Sequence, residues 1–261
     1  MHSIMSDILD FLLPRHCELC GTRLSKDEKR ICLSCIDELP RTNAHLMKEN
    51  PIEKLFWTQF PIERATSFFF YDSQSVRNAI YDLKYYQNPD LGEEITRLMA
   101  TELKEAGFFE GMDVVIPLPL HWKRKIKRGY NQSWYIAKGV SRVTGLPIDT
   151  KSVKRIVNNV SQTRMIHSER KHNVEGVFRL VHPELLKGKH VLLIDDVITT
   201  GSTTVSCAQE LAKAGDVKIS VLSMGFAGVK FFVTSDDTEN GQQKQSLDGI
   251  VEFRKTAESE G

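Results

Sequence analysis

The stretch Val191-Leu-Leu-Ile-Asp-Asp-Val-Ile-Thr-Thr-Gly-Ser-Thr-Thr204 decides how this chain is read. Its four apolar residues predict a buried strand. Two adjacent acids, Asp195 and Asp196, stand at the carboxyl end of that strand. A short loop, Thr199-Thr-Gly-Ser-Thr203, then runs straight into a helix. The start of a helix offers N–H groups without intrahelical partners and a positive dipole end, and both suit a phosphate. Gly201 lets the backbone approach a ligand closely. Thr199, Thr200, Ser202 and Thr203 add hydroxyl donors. Asp195 and Asp196 can accept hydrogen bonds from a ribose diol or help hold Mg²⁺. The stretch is not a Walker A loop, because it has no G-x-x-x-x-G-K-[ST], and it carries no G-x-G-x-x-G dinucleotide fingerprint.

Working outward, apolar runs and breakers alternate between strand and helix. Strands are predicted at Ala65 to Tyr71, Asp113 to Leu118 and Val217 to Phe226, with short ones near Val153–Val157 and Val177–Leu180. Helices are predicted at Ser75 to Gln87, Leu91 to Ala106, Asn131 to Thr144 and Ser202 to Ala214, each stopped by Gly or Asn-Pro. This alternation predicts an α/β fold with a parallel sheet covered by helices on both faces. Ligands of such sheets sit at the carboxyl ends of the strands. A polar linker is expected from Pro40 to about Pro61. The expected domains are residues 1–45, 62–228 and a polar, disordered tail over 229–261.

Ahead of the sheet lie two Cys-x-x-Cys pairs, Cys17/Cys20 and Cys32/Cys35, eleven residues apart. Each pair can sit on a tight knuckle, and two knuckles complete a tetrahedral thiolate site. Gly21 suits the first knuckle because it tolerates positive φ. Four thiolates favour zinc or iron. A structural Zn²⁺ is the preferred reading; a redox pair and two disulfides are the rivals. So small a module cannot build much core, and the metal would supply its folding energy. The fifth cysteine, Cys207, reads as a buried thiol in a helix.

Charge is segregated. Val114 to Ser168 holds eleven Lys and Arg against the single acid Asp149, a net +10, while the rest of the chain carries -9. Such a field suits a polyanion; a solvated basic face is the plainer alternative. No segment has the roughly 18 continuous apolar residues of a membrane helix. Met1 to Leu13 lacks a basic n-region and reads as a short amphipathic helix, not a signal peptide. A cytoplasmic location is therefore expected.

The segment Ile194 to Thr203 resembles the signature with which type I phosphoribosyltransferases bind 5-phosphoribosyl-1-pyrophosphate (PRPP). Leu12-Leu-Pro-Arg-His-Cys-Glu-Leu-Cys-Gly21, Tyr81-Asp-Leu-Lys-Tyr85, Ile116-Pro-Leu-Pro-Leu120 and Arg128-Gly-Tyr-Asn-Gln132 extend the resemblance to the ComF/GntX family. Gln162, Thr163, Arg170 and Asn173 resemble that family's mobile loop. The resemblance covers roughly residues 5 to 226, and the polar tail departs from it. It implies a type I phosphoribosyltransferase fold behind a zinc module. It places the 5-phosphate on Thr199, Thr200, Gly201, Ser202 and Thr203, and the ribose on Asp195 and Asp196. Backbone donors from Leu118, Pro119 and the residues up to His121 would face pyrophosphate, with Gln162, Thr163 and Arg170 closing over it. Lys84, Arg124 and Arg128 are further candidates for which surface solvation is an equal reading, and His121 and His167 are candidate acid/base groups by type.

Three functions follow as expectations. One is transfer of phosphoribose to an acceptor, with Mg²⁺ and basic residues neutralising pyrophosphate. The second is binding of single-stranded DNA, with Trp122, Tyr130, Trp134 and Tyr135 stacking bases and competence or DNA-processing proteins as partners. The third is sensing of PRPP without turnover.

Overall fold

The computed structural model describes residues 14–71, 89–157 and 176–233. The amphipathic segment before residue 14, the helix expected at Ser75 to Gln87 with Lys84, the loop carrying Gln162, Thr163, His167 and Arg170, and the polar tail lie outside these residues.

Four parallel strands form the sheet: β1 (Ala65–Phe70), β2 (Val114–Pro117), β5 (His190–Ile198) and β6 (Lys218–Phe226). Their spatial order is β1-β6-β5-β2, with β5 and β6 in the centre. A second, two-stranded antiparallel sheet pairs β3 (Val153–Arg155) with β4 (Phe178–Leu180). The helices are α1 (Leu33–Asp37), α2 (Pro51–Trp57), α3 (Pro89–Glu105), α4 (Trp122–Arg128), α5 (Gln132–Thr144) and α6 (Ser202–Ala212).

Strand β5 shows why the apolar runs are continuous. Leu192 and Ile194 join a cluster with Ile95, Ile136 and Val140 of α3 and α5. Val191 and Leu193 join a second cluster with Cys207, Ala208 and Leu211 of α6. Successive side chains point to opposite faces, and both faces carry helices, so every position must be apolar. Helices α3 and α5 approach closely because Gly139 has no side chain. A Cβ there would lie 2.7 Å from the Glu93 carbonyl oxygen and 2.8 Å from Thr96 Cβ. Glu93 then bridges α3 to α5 by accepting from Lys138 Nζ at 2.8 Å and Arg142 Nε at 2.7 Å.

Both edges of the sheet are covered. Beyond β1, Thr42 N–H donates to Phe68 O at 3.0 Å and Phe70 N–H donates to Pro40 O at 2.8 Å. Beyond β2, Val115 bridges Ile148 in parallel. Paired edges leave no template for aggregation.

The expected linker turns out to be built structure. Asn50 caps α2 by accepting from the N–H groups of Ile52 and Glu53, both at 3.0 Å, while its amide donates to Ala65 O at 3.0 Å. Pro51 opens the helix, and Ile52 and Phe56 are fully buried against β1 and β6. A polar average over Arg41 to Phe60 conceals this two-residue apolar face. Helix α4 lies between the strand expected at Asp113 to Leu118 and the helix expected at Asn131 to Thr144, where no element was predicted. It buries none of its residues, so it has no apolar period to read.

The cysteine module shares the core. Cys17, Leu24, Ile31, Ile36 and Leu39 belong to the same cluster as Phe68, Leu91 and Ile95. Cys207 is fully buried, and burial pushes its thiol well above the ordinary range.

Candidate ligand site at the carboxyl edge and four-cysteine centre

Strand β2 stops pairing at Pro117, opposite Ile194. Strand β5 continues to Ile198 beside β6 alone. The acids therefore lie just past the last β2 pair, where one edge of β5 opens toward the loop after β2. Asp195 is 9% exposed. Its Oδ2 accepts from Thr204 Oγ1 of α6 at 3.2 Å, and its Oδ1 accepts from the Asp196 N–H at 2.8 Å. Asp196 is half-buried. The strand thus fixes Asp195 against α6 and leaves Asp196 nearer the solvent.

Gly201 takes φ 72° at the N-cap of α6. That left-handed conformation suits glycine alone without strain. The N-cap glycine lends no side chain to this eleven-residue helix; the Ser202 N–H donates to Thr200 Oγ1 at 3.4 Å, and the other donors of the first turn suit an anion. Thr199 and Thr200 are exposed, and Ser202 and Thr203 are half-buried. Thr200 Oγ1 lies 3.1 Å from Ser202 Oγ. The structure thus brings Asp195, Asp196, Thr199, Thr200, Gly201, Ser202 and Thr203 into one strand-turn-helix unit.

A support for this turn escaped the sequence. Phe56 of α2 packs against Gly201, leaving no room for a Cβ, which would lie 2.7 Å from Phe56 Cε1. Gln59, just past α2, donates from Nε2 to Thr200 O at 3.2 Å and to Leu55 O at 2.6 Å. The signal was the capping pattern Asn50-Pro-Ile-Glu53, which marks a helix start.

The loop after β2 faces the acids. Leu118 is buried; its N–H donates to Ile194 O at 2.8 Å and its carbonyl accepts from Asn131 Nδ2 at 3.0 Å. Pro119 has no N–H. The backbone donors of this loop are accordingly those of Leu120 and His121, while Leu118 serves as its buried anchor. His121 caps α4, accepting at Nδ1 from Lys123 N–H at 3.3 Å. Burial lowers its pKa first, and Lys123, Arg155 and Arg124 lower it further. His121 is therefore a neutral cap at neutral pH, surrounded by positive charge.

The four cysteines converge as the spacing predicts. Their sulfurs all lie within 4.8 Å of one another. Cys17 and Cys35 are 3.8 Å apart, and Cys20 and Cys32 are 3.7 Å apart. A tetrahedron with Zn–S of about 2.3 Å needs S···S of about 3.8 Å. All four are free thiols, which removes the disulfide reading. Hydrogen bonds from Thr22 lower the Cys20 thiol to about 6, so one ligand is already poised as thiolate. The donor set fits a structural Zn²⁺ held by Cys17, Cys20, Cys32 and Cys35, which would tie the two knuckles together.

No helix among the described residues is long and apolar enough to cross a membrane. No family model matches the chain. It is similar to DNA utilization protein YhgH of Escherichia coli K12, 29% identical over 208 residues, covering 78% of this chain and 87% of that protein. Competence protein F of Haemophilus influenzae is 28% identical over 221 residues, covering 81% and 85%. Among solved structures, the allosteric regulatory enzyme of purine biosynthesis aligns with TM-score 0.39 and 19% identity over 67% of this chain, which spans 37% of that one. Adenine phosphoribosyltransferase from Leishmania donovani aligns with TM-score 0.35 and 12% identity, covering 78% and 92%. The chain is thus similar to the YhgH proteins and to competence protein F, and it joins a four-stranded parallel sheet to a four-cysteine cluster.

Proposed function

We propose that this chain binds PRPP at the carboxyl edge of β5 and transfers its phosphoribosyl group to an acceptor. The observation that carries this reading is the paired acid and phosphate turn. Asp195 is fixed by Thr204, Asp196 stands beside it, and a helix with Gly201 as its N-cap begins at Ser202. Acids suit a ribose diol, and a helix start suits its 5-phosphate.

In this reading the first turn of α6 and the hydroxyls of Thr199, Thr200, Ser202 and Thr203 hold the 5-phosphate. Asp195 and Asp196 orient the ribose. The Leu120 and His121 N–H groups, with Arg124 and Arg128 of α4, face pyrophosphate as charge develops on it. Two adjacent carboxylates are oxygen donors of the kind a hard cation takes, and Mg²⁺ bound there with PRPP would supply neutralisation of the leaving group. Gln162, Thr163 and Arg170 would close over the ligand and exclude water. The names of the relatives support a setting in DNA uptake or utilisation.

Calorimetric titration of PRPP with Mg²⁺ tests the reading. Wild type is expected to bind, and Asp195→Asn/Asp196→Asn to lose at least ~1.4 kcal/mol, about tenfold. Absence of binding to folded, zinc-loaded wild type would overturn it.

A further inference from the structure

Beside the acids lies a cleft of about 800 Å³ between the end of β2, helix α4, the start of α5 and strand β3. We infer that this cleft binds a nucleotide unit, stacking the base on its aromatic wall and taking the phosphate on Lys125, Lys154 and Arg155.

The wall is pre-organised. Tyr130, Trp134 and Tyr135 line it, with Tyr130 and Trp134 each packed edge-on to Tyr135 at 5.4 and 4.9 Å. Locked rings offer a stacking platform at little entropic cost, and base–aromatic stacking contributes about 1–3 kcal/mol per base.

The charge of the two lysines is uncompensated. Lys125 and Lys154 form no ion pair among the described residues. Arg155 is held over the Phe178 ring at 5.5 Å and donates from Nε to Val157 O at 3.3 Å, so its position is fixed. Asp149 is the one acid lining the cleft among the described residues. It is turned onto its own loop, accepting from Lys151 N–H at 2.7 Å, Ser152 N–H at 3.1 Å and the Ser152 hydroxyl. An apolar ligand would leave Lys125 and Lys154 without a counter-ion, and a simple anion would leave the rings uncovered. A nucleotide satisfies both. The volume lies in the upper part of the ~300–1,000 Å³ range of small-ligand sites, more than a bare base needs.

The cleft adjoins the proposed PRPP site. Leu118 N–H is bonded to Ile194 O, and the charge of Asp195 acts on Arg155. Assigning the nucleotide as acceptor rests on the PRPP reading; its binding does not. The nucleotide could be a free monophosphate or one unit of a single strand.

The full, zinc-loaded chain would be titrated with adenosine 5′-monophosphate, adenosine, a twelve-residue oligothymidylate and, separately, PRPP with Mg²⁺. The monophosphate is expected to bind at least tenfold more tightly than adenosine. Lys125→Ala/Lys154→Ala should lose at least tenfold for the monophosphate, and Trp134→Leu should weaken both ligands. Trp134→Phe should restore binding, which separates stacking from misfolding. Tighter binding of the oligonucleotide, lost in the same variants and falling steeply with salt, would identify a strand as the source. Equal affinity for adenosine and its monophosphate, or nucleotide binding untouched by the lysine pair, would overturn the proposal. PRPP binding without nucleotide binding would overturn it and leave the PRPP reading standing; the reverse result would sink the PRPP reading alone.

Discussion

A methyl group at position 201 would meet two obstacles at once. The residue sits at φ 72°, and a Cβ would lie 2.7 Å from Phe56 Cε1. The left-handed backbone costs a non-glycine residue about 1–2 kcal/mol, and overpacking adds about 1–3 kcal/mol. Gly201→Ala is therefore expected to lower stability by ~2–5 kcal/mol in urea unfolding. Adding Phe56→Leu should recover only the packing part, so the double variant should cost less than the sum of the singles. Strict additivity would show that Phe56 does not press on the turn. Position 201 could be marked as special from sequence, because a glycine between hydroxyl residues at a helix start has few other uses. Its partner could not, because Phe56 is 145 residues away and only the packing of α2 on the sheet brings them together.

Helix α2 has seven residues, too few to be stable alone. Its existence depends on the Asn50 cap and on burial of Ile52 and Phe56. Asn50→Ala removes the cap, worth about 1 kcal/mol, and leaves Ala65 O without its donor. A loss of ~1–2 kcal/mol is expected. Because α2 carries Phe56 and leads into Gln59, PRPP affinity should fall as well, although Asn50 touches no ligand. Unchanged calorimetric affinity at lowered stability would uncouple α2 from the phosphate turn. Strands β5 and β6 were legible because both faces are covered: β5 carries the unbroken run Val191-Leu-Leu-Ile194, and β6 is interrupted only by small residues between Ile219 and Phe226. Helix α4 was not: Trp122-Lys-Arg-Lys-Ile-Lys-Arg128 has no buried side, and its start depends on the ring of His121 accepting from Lys123 N–H.

For the molecule as a whole, the four-cysteine cluster and the sheet share one core. Removing the metal should therefore loosen the α3 side of the sheet as well as the knuckles. Chelation is expected to lower the unfolding temperature by about 4–8 °C, equivalent to ~2 kcal/mol, with release of one zinc per chain in a chromophoric assay. Visible absorption of the purified protein would indicate iron instead. Acid should weaken the fold through buried imidazoles. His190 is 8% exposed and hydrogen-bonded at Nε2 to Ser220 Oγ at 2.9 Å. Burial holds its pKa below the ordinary value, with Arg64 and Lys218 acting in the same direction and Glu63 opposing them. The folded state then binds fewer protons than the unfolded one below about pH 6.5. Stability is fully present above that pH and falls as pH drops toward the folded pKa. His190→Gln should flatten the decline of the urea midpoint between pH 7 and pH 5; an unchanged slope would assign the loss to other groups.

The sequence by itself determined the parallel α/β class, the strand-turn-helix from Val191 to Thr204 and the four-cysteine quartet. Each of these rests on local physics: an apolar run, a glycine that permits a turn, or a ligand spacing within a few residues. Only the tertiary structure decided that α2 buttresses the turn, that Leu118 is an anchor with its N–H engaged, and that the aromatics and cations between Trp122 and Arg155 enclose a cleft beside Asp195. Those facts depend on which residues meet across more than a hundred positions, and the packing of helices on the sheet sets that meeting.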